Sequence, residues 1–87
     1  MNKTNKKKLT LVLGILEQAI EISSNSIIDI FVDFASHVNM LSVKVYVNGW
    51  DYDSEFDFNE YVYINDKNCI EKLNYIDSYL KKLKRKV

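Results

Sequence analysis

The sequence predicts an α+β domain in the order α-β-β-β-α, a three-stranded antiparallel meander with two helices packed on one face. Three observations predict it. Apolar residues recur at steps of three and four near both ends of the chain. Between them, three segments alternate apolar and polar residues. The links are short and rich in turn formers. Three antiparallel strands need one face covered, and two amphipathic helices supply the cover.

The first helix is read over residues 9 to 22. Leu9, Leu13, Leu16 and Ile20 form its core stripe, widened by Val12 and Ala19, with Thr4 or Asn5 as cap. Ser23-Ser24-Asn25-Ser26 ends it. The first strand spans 27 to 35, with Ile28, Ile30, Val32 and Phe34 on one face and Asp29, Phe31 and Asp33 on the other. After a turn at 36–39, the second strand runs from 41 to 48, with Leu41, Val43, Val45 and Val47 inward. Asn48-Gly49 opens a longer connection. The third strand covers about 56 to 64, with Phe56, Phe58, Val62 and Ile64 on one face and Asp57, Asn59, Tyr61 and Tyr63 on the other. Residues 66 to 86 form the second helix, where Asn68 and Glu71 have capping-box spacing. Its stripe is Cys69, Leu73, Ile76, Leu80, Leu83 and Val87, and five basic residues crowd its C-terminal end, where the helix dipole favours cations. The heptad-like steps of both helices are assigned to the intramolecular core rather than to a dimer seam.

At 87 residues the chain makes one domain, with 1–5 and 85–87 expected to fray. With 47% apolar residues it is too hydrophobic for a disordered tail. Its formal net charge of zero argues against a polycation that coats nucleic acid. A single cysteine, Cys69, rules out an internal disulfide. No apolar run approaches a membrane span, and the apolar stretch after the first lysines lacks a small-residue cleavage site, so the chain is read as cytosolic. Abundant Asn, Lys, Ile, Tyr and Asp, with no proline, are residues of AT-rich codons and point to a low-GC bacterium or a mobile element within one.

Charge is unevenly distributed. Nine of the twelve basic residues lie at the two ends, and none lies between Val45 and Asp66. That window holds Asp51, Asp53, Glu55 and Asp57 together with Trp50, Tyr52, Tyr61 and Tyr63, and Tyr46 borders it. Tryptophan and tyrosine give large contact area at low entropic cost. Neighbouring carboxylates would steer the loop toward a basic partner. These residues are the candidate partner-binding surface, and the partner expected is a protein with a basic surface or a groove built for nucleic acid. Two readings of Trp50 stay open: an exposed anchor, or a ring folded back to close one end of the core.

The motifs of catalysis and metal binding are weak. A calcium loop starting at Asp51 would need glycine sixth and glutamate twelfth, where this chain has Phe56 and Val62. One histidine, His37, in a turn and one cysteine on an apolar stripe do not make a nucleophile and its base. No metal, no cofactor and no enzymatic activity are expected. An alternative function uses the lysine-rich ends, Lys6, Lys7, Lys8, Lys81, Lys82, Lys84 and Arg85, with His37, to bind nucleic acid phosphates. A third is a structural homodimer through an open sheet edge or the helices.

Two resemblances bear on these readings. The element order, His37 in the first strand turn, and Leu41, Val43, Val45 and Val47 leading to Asn48-Gly49 resemble double-stranded-RNA-binding domains. The resemblance implies that His37 faces an RNA minor groove. The lysine-rich start that the family gives its second helix is replaced here by Asn65-Asp66-Lys67-Asn68-Cys69-Ile70-Glu71. The stretch from His37 to Trp50, the acidic loop and Tyr63-Ile64-Asn65-Asp66 is similar to small phage and mobile-element proteins of low-GC bacteria. Among these are the anti-CRISPR and anti-restriction inhibitors of host defence nucleases. That resemblance implies a phage-encoded inhibitor acting through the acidic-aromatic region.

Overall fold

The computed structural model describes residues 3–86, and side chains from Lys6 to Lys86. Its elements are α1 (Lys3–Ser24), β1 (Asp29–Ala35), β2 (Met40–Tyr46), β3 (Phe58–Tyr63) and α2 (Cys69–Arg85). The sheet has the order β1-β2-β3 with antiparallel neighbours. The α+β meander read from the sequence is therefore the fold. The molecule measures 39 × 26 × 17 Å, and the short dimension fits one helix layer on one face of one sheet.

β2 is central, and its alternation is nearly complete: Leu41, Val43 and Val45 are fully buried against the helices. Register sets Val32 beside Val43 and Leu41 beside Val62 on that same face. From α2, Cys69, Leu73, Ile76, Leu80 and Leu83 complete the core as expected. Phe58 joins it by stacking on Tyr79, centroids 3.9 Å apart at 13°. The two helices run parallel. Lys8 of α1 donates to the Ile64 carbonyl just before α2 (2.6 Å), Gln18 bonds Asp77, and Glu21 pairs with Lys84 near the other end.

α1 meets expectation at Ala19, which is buried, and at Val12, which packs against the core, and departs from it elsewhere. The core takes Ile15, Ala19 and Ile22, while Leu9, Leu13, Leu16 and Ile20 are 46%, 54%, 41% and 58% exposed. At 100° per residue the two stripes lie roughly 120° apart round the helix. Both satisfy a period of three and four, so periodicity alone does not choose. The choice falls to α2, whose place beside α1 turns the arc containing Ile15, Gln18 and Ile22 inward.

Smaller departures have local causes. β3 begins at Phe58: Asp57 N still donates to the Val45 carbonyl of β2, but the Asp57 carboxylate turns back to accept from Val47 N at the start of the loop. Phe56 is thereby left exposed off the strand. Phe34 lies on the helix-facing side of β1 but is also exposed. Asn68 precedes α2 without a side-chain capping bond, so the capping box does not form. The stretches 3–5 and Arg85, expected to fray, are helical; residues 1, 2 and 87 lie outside the described residues, as do the side chains of Thr4 and Asn5.

Candidate functional site

The loop between β2 and β3 is built by its own polar groups. Tyr46 to Gly49 closes a turn, with Gly49 N donating to the Tyr46 carbonyl at 3.1 Å. Gly49 adopts φ +86°, and a Cβ there would sit 3.2 Å from the Ile27 carbonyl, so both conformation and space call for glycine. The chain then doubles over the outer sheet face. Trp50 N donates to the Asp29 carboxylate at 2.8 Å, which pins the loop to the start of β1. Asp51 accepts from Asp53 N (2.8 Å) and from the Ser54 hydroxyl (3.0 Å), an Asx-type turn that orders the tip. Val47 N bonds the Asp57 carboxylate at 2.7 Å and ties the loop's two ends together.

The acids of the window therefore divide. Asp51 and Asp57, with Asp29 of β1, shape the loop, whereas Asp53 and Glu55 are exposed with no side-chain hydrogen bond or ion pair among the described residues. Asp29 lay among the outer-face residues of the sequence reading without a role. Its signal was a carboxylate on an edge strand with no cation opposite: its cross-strand neighbour is Tyr46.

This path brings four rings together. Phe31 lies 5.5 Å from Tyr46 and 6.3 Å from Trp50, and Trp50 lies 5.4 Å from Tyr52. Tyr46 is covered by this arrangement and only 8% exposed, so it supports the surface from beneath instead of presenting a face to a partner. Trp50 is 45% exposed and Tyr52 95%. Trp50 thus neither closes the helix-side core nor stands free; it packs at a tilt against Phe31 on the outer face with part of its ring open.

Tyr61 and Tyr63 form a separate T-shaped pair, centroids 5.8 Å apart, on β3. Lys72 of α2 lies 5.9 Å from the Tyr61 ring. Two strand spacings separate them from β1, about 10 Å, so they do not join the Trp50 cluster. Lys44, just outside the acidic window, occupies the middle of the outer face between Phe31 and Asn59. The outer face therefore carries the acidic and aromatic cluster at the loop end, and Tyr61, Tyr63 and Asp33 toward the other end, with Lys44 between them.

The basic residues are divided between the two ends of the molecule. Lys6, Lys7 and Lys8 lie near the start of α1, at the end that carries the His37 turn, where Ile64 N bonds the Asn39 carbonyl. Lys81, Lys82, Lys84 and Arg85 close α2 at the opposite end, about 20 Å away along the helices. Lys8, Lys81 and Lys84 are engaged with Ile64, Asp77 and Glu21. His37 is exposed. Glu21 raises the pKa of Lys84 above its ordinary value through their hydrogen bond and charge.

Cys69 is fully buried, and burial pushes its thiol pKa up, with Lys8 offsetting part of the shift and Asp66 adding to it. A buried thiol held in its neutral form is a poor nucleophile. Among the described residues no three His, Cys, Asp or Glu side chains group as a metal site, and no helix is long and apolar enough to cross a membrane. An open groove of about 790 Å³ lies between α1 and α2, lined by both signs of charge. Gln18 borders it, with its amide nitrogen donating to Asp77 and its oxygen without a partner among the described residues. No protein-family model matches the chain, and no curated protein or solved structure matches it either.

Proposed function

We propose that this protein is a binding module whose Trp50–Glu55 loop docks on a basic protein surface, of the kind found in a groove that otherwise holds nucleic acid. One observation carries the reading: the loop is pinned at Trp50 by Asp29, at its base by Asp57 and at its tip by Asp51, while the Trp50 and Tyr52 rings and the Asp53 and Glu55 carboxylates are open. A loop ordered before binding loses little entropy on docking. Exposed aromatic anchors supply contact area, and exposed carboxylates speed encounter with a cationic surface. The nucleic-acid alternative is weakened by the division of the basic residues between opposite ends and by the acidic loop that would repel phosphate.

The test compares wild type with Trp50→Ala and with the pair Asp53→Asn and Glu55→Gln. Each protein is immobilised, exposed to a low-GC bacterial lysate, and the retained proteins are quantified by mass spectrometry, then titrated individually. The expected partner is basic, binds Trp50→Ala at least about 30-fold more weakly, the scale of a hot-spot loss, and associates more slowly with the charge-neutral pair. A partner held equally well by Trp50→Ala overturns the reading. Duplex RNA or DNA retained at low salt, with no effect of Trp50→Ala, transfers the function to the lysine-rich ends.

A further inference from the structure

The apolar stripe that the fold leaves uncovered is the strongest unexplained feature outside the loop. Leu9, Leu13, Leu16 and Ile20 follow the alternating four-three spacing of a coiled-coil seam, with no charged side chain among them. They lie on the flank of α1 that overhangs the β1 edge, where Leu16 and Ile20 line a groove with Ile30 and Val32. α1 and β1 run in opposite directions, so Phe34, two residues beyond Val32 on the same side of the strand, extends the patch toward Leu13. We propose that the occupant is a second copy of this chain, packed through an antiparallel α1–α1 contact about a two-fold axis. Leu9 of one copy then lies beside Ile20 of the other, and Leu13 beside Leu16.

Charge selects the direction. α1 carries Lys6, Lys7 and Lys8 at its N-terminal end and Glu17 and Glu21 in its C-terminal half, with no acid in its first turn and no base in its last. That distribution opposes the helix's own dipole. An antiparallel neighbour places the exposed Lys6 and Lys7 beside the other copy's negative helix end, while Lys8 and Glu21 stay engaged with Ile64 and Lys84 of their own chain. A parallel neighbour would set lysines against lysines.

Dimensions choose helix packing over sheet extension. Two helices side by side need about 8–10 Å, as much as the distance from β1 to β3, so α1 sits over the β1 edge. Two copies approaching there meet through their helices before the β1 edges come within the roughly 4.8 Å of a sheet ladder. At the observed exposures, the four stripe residues and Phe34 offer about 450–500 Å² per copy, close to 1,000 Å² in total, which is the lower bound of a specific interface and implies a reversible dimer. The contact lies on the opposite side of the sheet from the Trp50 loop and does not depend on what that loop binds.

Sedimentation equilibrium of the full chain between about 1 and 500 μM tests this. The expected result is a mass rising from the monomer's 10.2 kDa toward twice that value. Leu13→Glu with Ile20→Glu, both exposed, is expected to stay monomeric with unchanged far-ultraviolet circular dichroism. A wild type that remains at monomer mass at the highest concentration, or a double variant that dimerises as wild type does, overturns the proposal. Oxidative cross-linking tests the direction without disturbing charge. A mixture of Leu9→Cys and Ile20→Cys proteins should give mainly the mixed disulfide, and preferential self-linking of Leu9→Cys overturns the antiparallel arrangement.

Discussion

The ordered loop depends on a few residues whose parts are geometric. Gly49 is one, since alanine would meet both an unfavourable positive φ and the Ile27 carbonyl. Gly49→Ala should destabilise the protein by about 1–2 kcal/mol in urea unfolding, a loss larger than alanine's gain in restricting the unfolded chain. Asp29 is another. Asp29→Ala removes the acceptor of Trp50 N and should lower stability by about 1 kcal/mol, the order of one charge-assisted hydrogen bond. Asp53→Asn, at an exposed carboxylate, should change stability by less than about 0.5 kcal/mol. Equal losses for Asp29→Ala and Asp53→Asn would show that the loop is not pinned as described.

The two helices carry similar sequence periods and have different places in the energetics. α2 buries Cys69, Leu73, Ile76, Leu80 and Leu83, so Leu80→Ala should cost about 2–5 kcal/mol through lost transfer energy and a residual cavity. Leu13→Ala, on the open flank of α1, should change the stability of the dilute protein by no more than about 0.5 kcal/mol. Urea denaturation at low protein concentration measures both, and a large loss for Leu13→Ala would place that residue in the monomer's core. Strand identity, alternation and the α2 stripe from Cys69 to Leu83 were legible because each has a single aliphatic face. The inner arc of α1 was not legible, because nine apolar residues between Leu9 and Ile22 offer two stripes and only the neighbouring helix distinguishes them. At the loop, Trp50, Tyr52 and the acids were visible as a composition; their separation into clamps and open charges required knowing which backbone amides they face.

For the whole molecule, three titrating groups point the same way. Cys69 and Tyr79 are raised, chiefly by burial, above ordinary values of 9.0 and 10.0, and Lys84 is raised above 10.5 by Glu21. A raised folded-state pKa means that the unfolded chain loses its proton first as pH rises, so stability is intact below these ordinary values and falls above them. The melting temperature should therefore decline from about pH 9 upward. The part of the slope that begins earliest should disappear in Cys69→Ala, and the later part should diminish in Tyr79→Phe. An unchanged slope in both variants would assign the alkaline loss elsewhere.

The sequence by itself determined the order of elements, the inward face of each strand, the buried stripe of α2 and the gathering of acids and aromatic rings in one connection. These follow from local periodicity and turn chemistry, which neighbouring residues express without reference to the rest of the chain. Only the tertiary structure decided which arc of α1 is covered, that Tyr46 lies beneath Phe31 and Trp50, that Asp29 holds the loop, and that the two lysine-rich ends stand apart. Each of those depends on groups far apart in sequence meeting in space, where side-by-side packing of two helices and the reach of a single carboxylate set the outcome.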